Sequence, residues 1–134
     1  WYDWKNDGND PAEREDNFGT VLANLEPKPA FRAIQTLCRQ LAGYHVARRF
    51  PAQGEGDYLV LCQRRGRPEK LVAWTTGAPH EVSLPVRAHR KASITGITDG
   101  GPLVLPLPQG DHVSLHLTAS PQYLTLENVS VRQP

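Results

Sequence analysis

The chain has 134 residues, which is enough for one ordinary domain, or for a small domain with part of another, but too few for a complete large enzyme fold. Hydrophobic residues make up 39% and charged residues 22%, which excludes a disordered chain, and no apolar run approaches the roughly 18 residues that cross a bilayer. Fifteen Lys and Arg against fourteen Asp and Glu give a formal charge of +1, so the basic excess typical of nucleic-acid binding is missing.

The sequence contains no methionine and starts at Trp1. We therefore expect the 134 residues to be a processed or truncated piece of a longer protein, without a signal peptide of its own.

An amphipathic segment in the first third of the chain predicts one α-helix. Pro29 suits the first helical position, and Gly43 suits the C-terminal cap. Apolar residues between them repeat at spacings of three and four: Phe31, Ile34, Leu37, Cys38 and Leu41. This apolar stripe must be buried against something. A shorter helical turn is expected to start at Pro11, because carboxylates follow it and favour a helix N-terminus.

From Tyr44 onward, short runs with a period of two alternate with turns rich in Gly and Pro, a pattern typical of strands. Eight strands are predicted: Tyr44–Phe50, Tyr58–Gln63, Lys70–Thr75, Glu81–Val86, Ala92–Ile97, Leu103–Leu107, His112–Leu117 and Gln122–Leu126. Many short strands with no helix between them favour an antiparallel β-sandwich.

Alternation along these strands predicts which residues face the core of the sandwich. The inward set is Leu59, Leu61, Leu71, Ala73, Leu103, Leu105, Val113, Leu115, Leu117, Leu124 and Leu126. Trp74 is expected inside this core rather than on a ligand platform, and Tyr44, Tyr58 and Tyr123 are interpreted as scattered. Cys38 and Cys62 are both expected to be buried thiols, and whether they pair stays open.

Three short motifs in the first 43 residues occur in a fixed order. They are W-Y-D-W at residues 1–4, N-F-G at residues 17–19 and K-P-A-F at residues 28–31. This order resembles the end of the catalytic barrel in clan A glycoside hydrolases, where the eighth strand, its loop and the eighth helix carry such motifs. The remainder is similar, more weakly, to the β-sandwich that follows the barrel in many of these enzymes. Within the clan, the closest resemblance is to family 39-like enzymes.

The resemblance implies a mainly β chain with two parts. Residues 1–43 would be the last βα unit of a (β/α)8 barrel, and residues 44–134 an accessory antiparallel β-sandwich. Retaining enzymes of this clan use two glutamates, an acid/base after the fourth strand and a nucleophile at the seventh. Both strands would precede Trp1, so no catalytic residue is expected in this chain.

In the resembling family, an aromatic residue at the end of the eighth strand lines the sugar site. Barrel active sites lie at the C-terminal ends of the strands, and an indole face offers a flat apolar surface to a pyranose. Trp1, Tyr2 and Trp4 are therefore the candidate substrate-binding residues, Trp1 first. The alternative is that two of these three rings pack in the barrel wall. The N-F-G motif at residues 17–19 is expected to fix the return of the loop.

No metal and no cofactor are expected. The acidic cluster is interpreted as a solvated loop; it comprises Asp3, Asp7, Asp10, Glu13, Glu15 and Asp16. A calcium loop that starts at Asp3 would need oxygen ligands where Lys5 and Arg14 stand. His112 and His116 offer only two ligands. The basic residues of 64–67 and 87–91 are interpreted as solvated turns, with contact to an acidic polymer or to phospholipid headgroups as the alternative.

These patterns together predict the C-terminal portion of a retaining endoglycosidase that acts on a bacterial polysaccharide. The expected partners are a polysaccharide or oligosaccharide and the missing barrel portion of the parent, with no nucleic acid, and the expected location is periplasmic or secreted. The alternative is a stand-alone carbohydrate-binding or protein-interaction β-sandwich module. The sequence that precedes Trp1 in the parent protein would distinguish the enzyme from the stand-alone module, because only the enzyme needs a barrel with two catalytic glutamates.

Overall fold

The computed structural model describes residues 3–51, 54–98, 101–103, 105 and 110–132. The chain divides into two compact units, Trp1–Gln40 and Leu41–Pro134. None of the described helices is long and apolar enough to cross a membrane.

The single described α-helix, α1, spans Pro29–Leu41, and all of it except Leu41 belongs to the first unit. Its start at Pro29 confirms the predicted N-terminus. Beyond its last residue, Gly43 has a positive φ of 75°, which is the backbone conformation of a glycine C-terminal cap. None of its side chains is buried, and Cys38 is exposed, so the expectation of a buried Cys38 is wrong.

The helical turn predicted at Pro11 is wrong. A short 3-10 helix starts only at Glu15 and ends at Asn17. Side-chain hydrogen bonds hold the chain before it in turns, because Asp10 Oδ1 accepts from the amide of Ala12 at 2.9 Å. These local bonds satisfy the backbone without a helix.

The second unit consists of antiparallel strands. They span His45–Phe50 (β1), Asp57–Gln63 (β2), Glu69–Thr75 (β3), His80–Thr98 (β4), Gly101–Leu103 (β5), His112–Leu117 (β6) and Gln122–Val131 (β7). Their order in the sheet is β1-β2-β3-β7-β4-β5, and β6 pairs with β4 outside this path. The mainly β, antiparallel fold class is thereby confirmed.

Two predicted strands, Glu81–Val86 and Ala92–Ile97, form one continuous strand of 19 residues, β4. Its first part, His80–Pro85, pairs with β6, and its later part pairs with β7. The register of β4 against β7 shifts between Ala88 and Ser93. This irregularity accommodates the residues by which β4 is longer than β7 between these two points. The intervening residues 87–90 are exposed, so no apolar alternation marks them as strand.

The predicted strand Leu103–Leu107 falls partly outside the described residues. The structure gives a short strand that ends at Leu103, whereas Val104 and residues 106–109 are not described.

One apolar core joins β6 and the first part of β4 to β2, β3 and β7, in a β-sandwich-like arrangement. Leu71, Leu115 and Leu124 have no exposed surface. All eleven residues of the predicted inward set belong to this core, with Leu103 and Leu105 partly buried at its edge. Period-two alternation therefore predicted the inner faces correctly.

The opposite face of the sheet carries a second cluster, and it changes the interpretation of the aromatic residues. Trp74 is half-buried there beside Val72 and Tyr123, so the expectation that it lies inside the main core is wrong. Tyr44 packs against the same cluster. Tyr58, whose ring stacks on Trp74, lies on the same face. The three tyrosines are therefore not scattered, although they form no row of exposed rings, because Tyr123 is buried.

Candidate functional site

The candidate site of the first unit is built around Trp4, whose backbone is fixed by the returning loop. The carbonyl oxygen of Trp4 accepts hydrogen bonds from Thr20, from the amide at 2.9 Å and from the hydroxyl at 3.0 Å. Lys5 also forms a parallel bridge with Val21. The indole is thus attached to a backbone with defined geometry.

An open cavity of about 530 Å³ lies beside this indole. It is lined by Trp4, Thr20, Phe31, Ile34 and Gln35. Trp4 is 59% exposed, and its ring meets Phe31 edge to face, with centroids 5.5 Å apart and planes at 72°. A largely apolar cavity with a hydroxyl and an amide at its margin can hold the C–H face of a sugar ring and bind its hydroxyl groups.

The other two candidate substrate-binding residues, Trp1 and Tyr2, lie outside the described residues. Of the predicted aromatic set, the structure therefore describes the surroundings of Trp4 alone.

A polar cluster formed by Asn6 and Lys28 holds the loop that carries Asn17 and Gly19. This cluster was not identified from the sequence. Asn6 is only 2% exposed, and its Oδ1 accepts hydrogen bonds from Lys28 Nζ at 2.6 Å and from the amide of Gly19 at 3.1 Å. The same ammonium group donates to the carbonyl of Asn17 at 2.9 Å. Lys28 thus links the loop to the start of α1. A signal was present, since Lys28 belongs to the K-P-A-F motif and directly precedes the helix.

Asn17 and Gly19 of the N-F-G motif hold the loop closed. The Asn17 amide donates to the carbonyls of Asp10 and Glu13, each at 2.7 Å. A side chain at Gly19 would collide with the backbone of Lys5 and Asn6, so only glycine fits this close approach. Both residues therefore act on loop geometry.

The acidic cluster forms turns as well. The Asp16 carboxylate accepts from the amide of Asp10 at 3.2 Å and lies where a side chain at Gly8 would stand. Within the described ranges, no three His, Cys, Asp or Glu side chains come together in a way that could hold a metal ion.

The second unit presents an aromatic stack on its outer sheet face. Tyr58 and Trp74 are cross-strand partners, and their rings lie 4.6 Å apart and nearly parallel, at 4°. The guanidinium of Arg49 lies over the tyrosine ring, 4.3 Å from its centroid. Cation–π attraction and ring stacking together order this row of three side chains across β1, β2 and β3.

Cys62 lies on the same face and is buried, and burial raises the pKa of its thiol. Neither this cysteine nor Cys38 takes part in a disulfide.

Comparison with known proteins finds a similarity to solved structures. No protein-family model and no curated protein matches the chain. A solved family 39 glycoside hydrolase from the gut symbiont Bacteroides cellulosilyticus WH2 is 25% identical, with a TM-score of 0.81. The match covers 95% of this chain but only 26% of the solved one. In fold and at the level of family, the chain is thus similar to a family 39 glycoside hydrolase, over a quarter of that enzyme's length.

Proposed function

We propose that the chain is the C-terminal part of a retaining endoglycosidase that acts on a bacterial polysaccharide. The catalytic acid/base and nucleophile would be glutamates in the barrel portion of the parent protein. The observation that carries this proposal is the match to a family 39 glycoside hydrolase, which spans nearly all of this chain and about a quarter of that enzyme.

The exposed apolar surface of the first unit supports this interpretation. Ile34 and Leu37 of α1 are 36% and 48% exposed, although they belong to the apolar stripe of an amphipathic helix. In a complete barrel, neighbouring elements would cover such a stripe. The helix therefore has the surface of an element that packs against a larger structure.

In the parent, this chain would contribute binding surface rather than the reacting carboxylates. Trp4 offers an exposed indole beside an apolar cavity, and Trp1 and Tyr2 precede it in the sequence. These aromatic rings would position a sugar against the barrel glutamates. The β-sandwich would serve the stability and placement of the barrel.

The substrate polymer and the location of the enzyme can be proposed in more detail. Of the enzymes that the sequence resembles, one is the endoglycosidase encoded with the Psl exopolysaccharide of pseudomonads. We therefore propose an exopolysaccharide of a biofilm as the substrate and a periplasmic or secreted enzyme.

The parent protein, expressed from its complete coding sequence, should cleave internal bonds of a bacterial exopolysaccharide. Proton NMR of the first products should show retained anomeric configuration. The 134-residue chain should cleave no chromogenic glycoside, because the proposal assigns both catalytic carboxylates to the barrel portion of the parent. Turnover by the rigorously purified chain, or inversion by the parent, would contradict the proposal.

Substitutions in the parent test the contribution of the aromatic rings. Trp1→Ala and Trp4→Ala should each lower kcat/KM by about tenfold, which corresponds to about 1.4 kcal/mol of transition-state binding. Trp74→Leu is the matched control and should leave kcat/KM within about twofold in folded protein. Equal losses in all three variants would instead indicate a general effect on stability.

A further inference from the structure

The tight turn between β2 and β3 carries three arginines beside an open groove. The groove has a volume of about 320 Å³. Its lining consists of His45, Gln63, Arg64, Arg65, Arg67 and Glu69. The site lies entirely within the second unit, and the function proposed above does not use it.

The backbone fixes the arginines on a rigid hairpin. The amide of Arg67 donates to the carbonyl of Arg64 at 3.1 Å, which closes the turn. At the tip, Gly66 has a φ of 71°, and nothing lies within 4 Å of the position of its missing side chain. The tip therefore projects into solvent.

Arg64 is also held at its guanidinium group. One of its nitrogens, Nη1, donates to the carbonyl of Ala42 at 2.8 Å. The group lies against Gly43, where a methyl group would approach its Cζ to 3.2 Å. An arginine with a fixed plane loses little conformational freedom when it binds an anion.

The charge of the groove is unbalanced. Glu69 is the one carboxylate among the residues that line it, and Gln63 already donates a hydrogen bond to that group. The ion pairs at His80, His112 and His116 join these histidines to carboxylates and involve none of the three arginines. Three arginines and one glutamate thus line the groove, in a chain whose formal charge is only +1.

We propose that this groove binds the carboxylate of an acidic saccharide, a uronate unit of a polysaccharide chain. The proposal rests on the proposed function in one respect, that the ligand of this protein is a saccharide. Guanidinium groups match the planar carboxylate with paired, charge-assisted hydrogen bonds. Gln63 and Glu69 supply the donor and acceptors that sugar hydroxyls need.

The composition of the groove favours a saccharide over a phosphate polymer. Glu69 repels phosphate and carboxylate groups alike, but its oxygens accept hydrogen bonds from the hydroxyl groups of a sugar, which polyphosphate lacks. Among the described residues, the lining contains no Phe, Tyr or Trp ring on which successive nucleic-acid bases could stack.

Calorimetric titration of the 134-residue chain with tetragalacturonate tests the proposal. The fully methyl-esterified tetramer has the same sugar without the charge, and it should bind at least about tenfold more weakly. The double variant Arg65→Gln/Arg67→Gln should lose about tenfold or more in affinity for the acid. The control variant Arg87→Gln/Arg90→Gln removes the same charge from exposed residues of β4 and should stay within about twofold.

Three results would overturn the proposal. The first is that the ester binds as well as the acid, and the second is that the control variant loses as much affinity as the hairpin variant. The third is that phosphatidylglycerol vesicles or polyphosphate bind to the chain whereas tetragalacturonate does not. The outcomes also separate this inference from the proposed function. Uronate binding with an inactive parent would reject only the hydrolase, and hydrolysis without uronate binding would reject only the groove.

Discussion

His80 Nε2 lies 3.1 Å from the Oδ2 atom of Asp57, a carboxylate that is almost completely buried. The other ring nitrogen of His80, Nδ1, lies 2.9 Å from the carbonyl oxygen of Ala78. Because both nitrogens face acceptors, the ring is arranged to carry two protons. The contact joins the first residue of β2 to the first residue of β4.

These contacts shift both pKa values. Hydrogen bonds to the Ala78 carbonyl and to Asp57 raise the pKa of His80. Burial by itself would raise the pKa of Asp57, but hydrogen bonds from Thr75, His80 and the amide of Gly54 lower it overall. The charged forms of both side chains are therefore favoured in the folded protein.

The first prediction is that this pair stabilises the fold most between pH 3.8 and 6.5, the unfolded-state values of Asp and His. The contribution of Asp57 is complete above 3.8 and is lost as the pH falls through its lowered pKa. The contribution of His80 is complete below 6.5 and is lost as the pH rises through its raised pKa.

Thermal unfolding as a function of pH measures this effect. His80→Gln should lower Tm most inside that window, and the difference from the native chain should shrink at about pH 8. His89→Gln, at an exposed position, is the control. A Tm difference that is constant with pH would refute the linkage.

The second prediction concerns the close approach at Gly19. Gly19→Ala should destabilise the loop by about 1 to 3 kcal/mol, because the new methyl group meets backbone atoms that cannot move aside. Hydrogen exchange at the amides of Thr20 and Val21, which both bind the Trp4 carbonyl, should accelerate. Gly77→Ala is the control, because its methyl group would make ordinary contact with Thr75 Oγ1 at 3.5 Å. Equal exchange rates in both variants would contradict the expected steric clash.

The third prediction concerns the two thiols. Cys38 is exposed, whereas Cys62 is buried with a raised pKa. Ellman's reagent should therefore react quickly with one thiol per folded chain and with the second only after denaturation. Cys38→Ser should remove the fast phase. Two fast thiols in the native chain would show that β2 opens readily.

The fourth prediction is an energetic coupling between Tyr58 and Trp74. A double-mutant cycle with Tyr58→Leu and Trp74→Leu should give a coupling of about 0.5 to 1.5 kcal/mol in the free energy of unfolding, as expected for stacked rings. Denaturant unfolding of the four proteins provides the values. Additive effects of the two substitutions would mean that stacking of the two rings contributes no free energy of its own.

The fifth prediction is that the 134-residue chain binds a hydrophobic fluorescent dye through α1. Ile34→Gln/Leu37→Gln should reduce dye fluorescence strongly without loss of stability, because both side chains are exposed. Val46→Gln removes an apolar side chain that is 67% exposed from β1, and it should change the fluorescence little. A native chain that binds no dye would contradict the prediction.

Periodicity explains which parts of the fold could be predicted from the sequence. The spacing of Phe31, Ile34 and Leu41 identified α1, and alternation identified the inner faces of the strands. Such patterns depend only on residues that are close in sequence. The continuity of β4 was missed because its exposed residues 87–90 carry no alternation.

The site residues that were missed depend on register and on long-range contacts. Tyr58 and Trp74 each lie eight residues from Gly66, so a hairpin centred on that glycine would have paired them. The sequence could therefore have predicted this pairing if the turn at Gly66 and the two flanking strands had been considered together. The contact between Lys28 and Asn6 joins residues 22 apart without any repeating pattern, and only the folded chain reveals it.

The position of β7 has a consequence for the order in which the second unit can form. This strand is the last along the chain, yet it lies between β3 and β4 and is hydrogen-bonded to both. During synthesis on the ribosome, β1 to β3 can pair as they emerge, but they cannot join β4 until Gln122–Val131 has left the exit tunnel. The nascent sheet would meanwhile expose an unpaired edge at β3, and a chaperone that covers this edge would favour correct assembly.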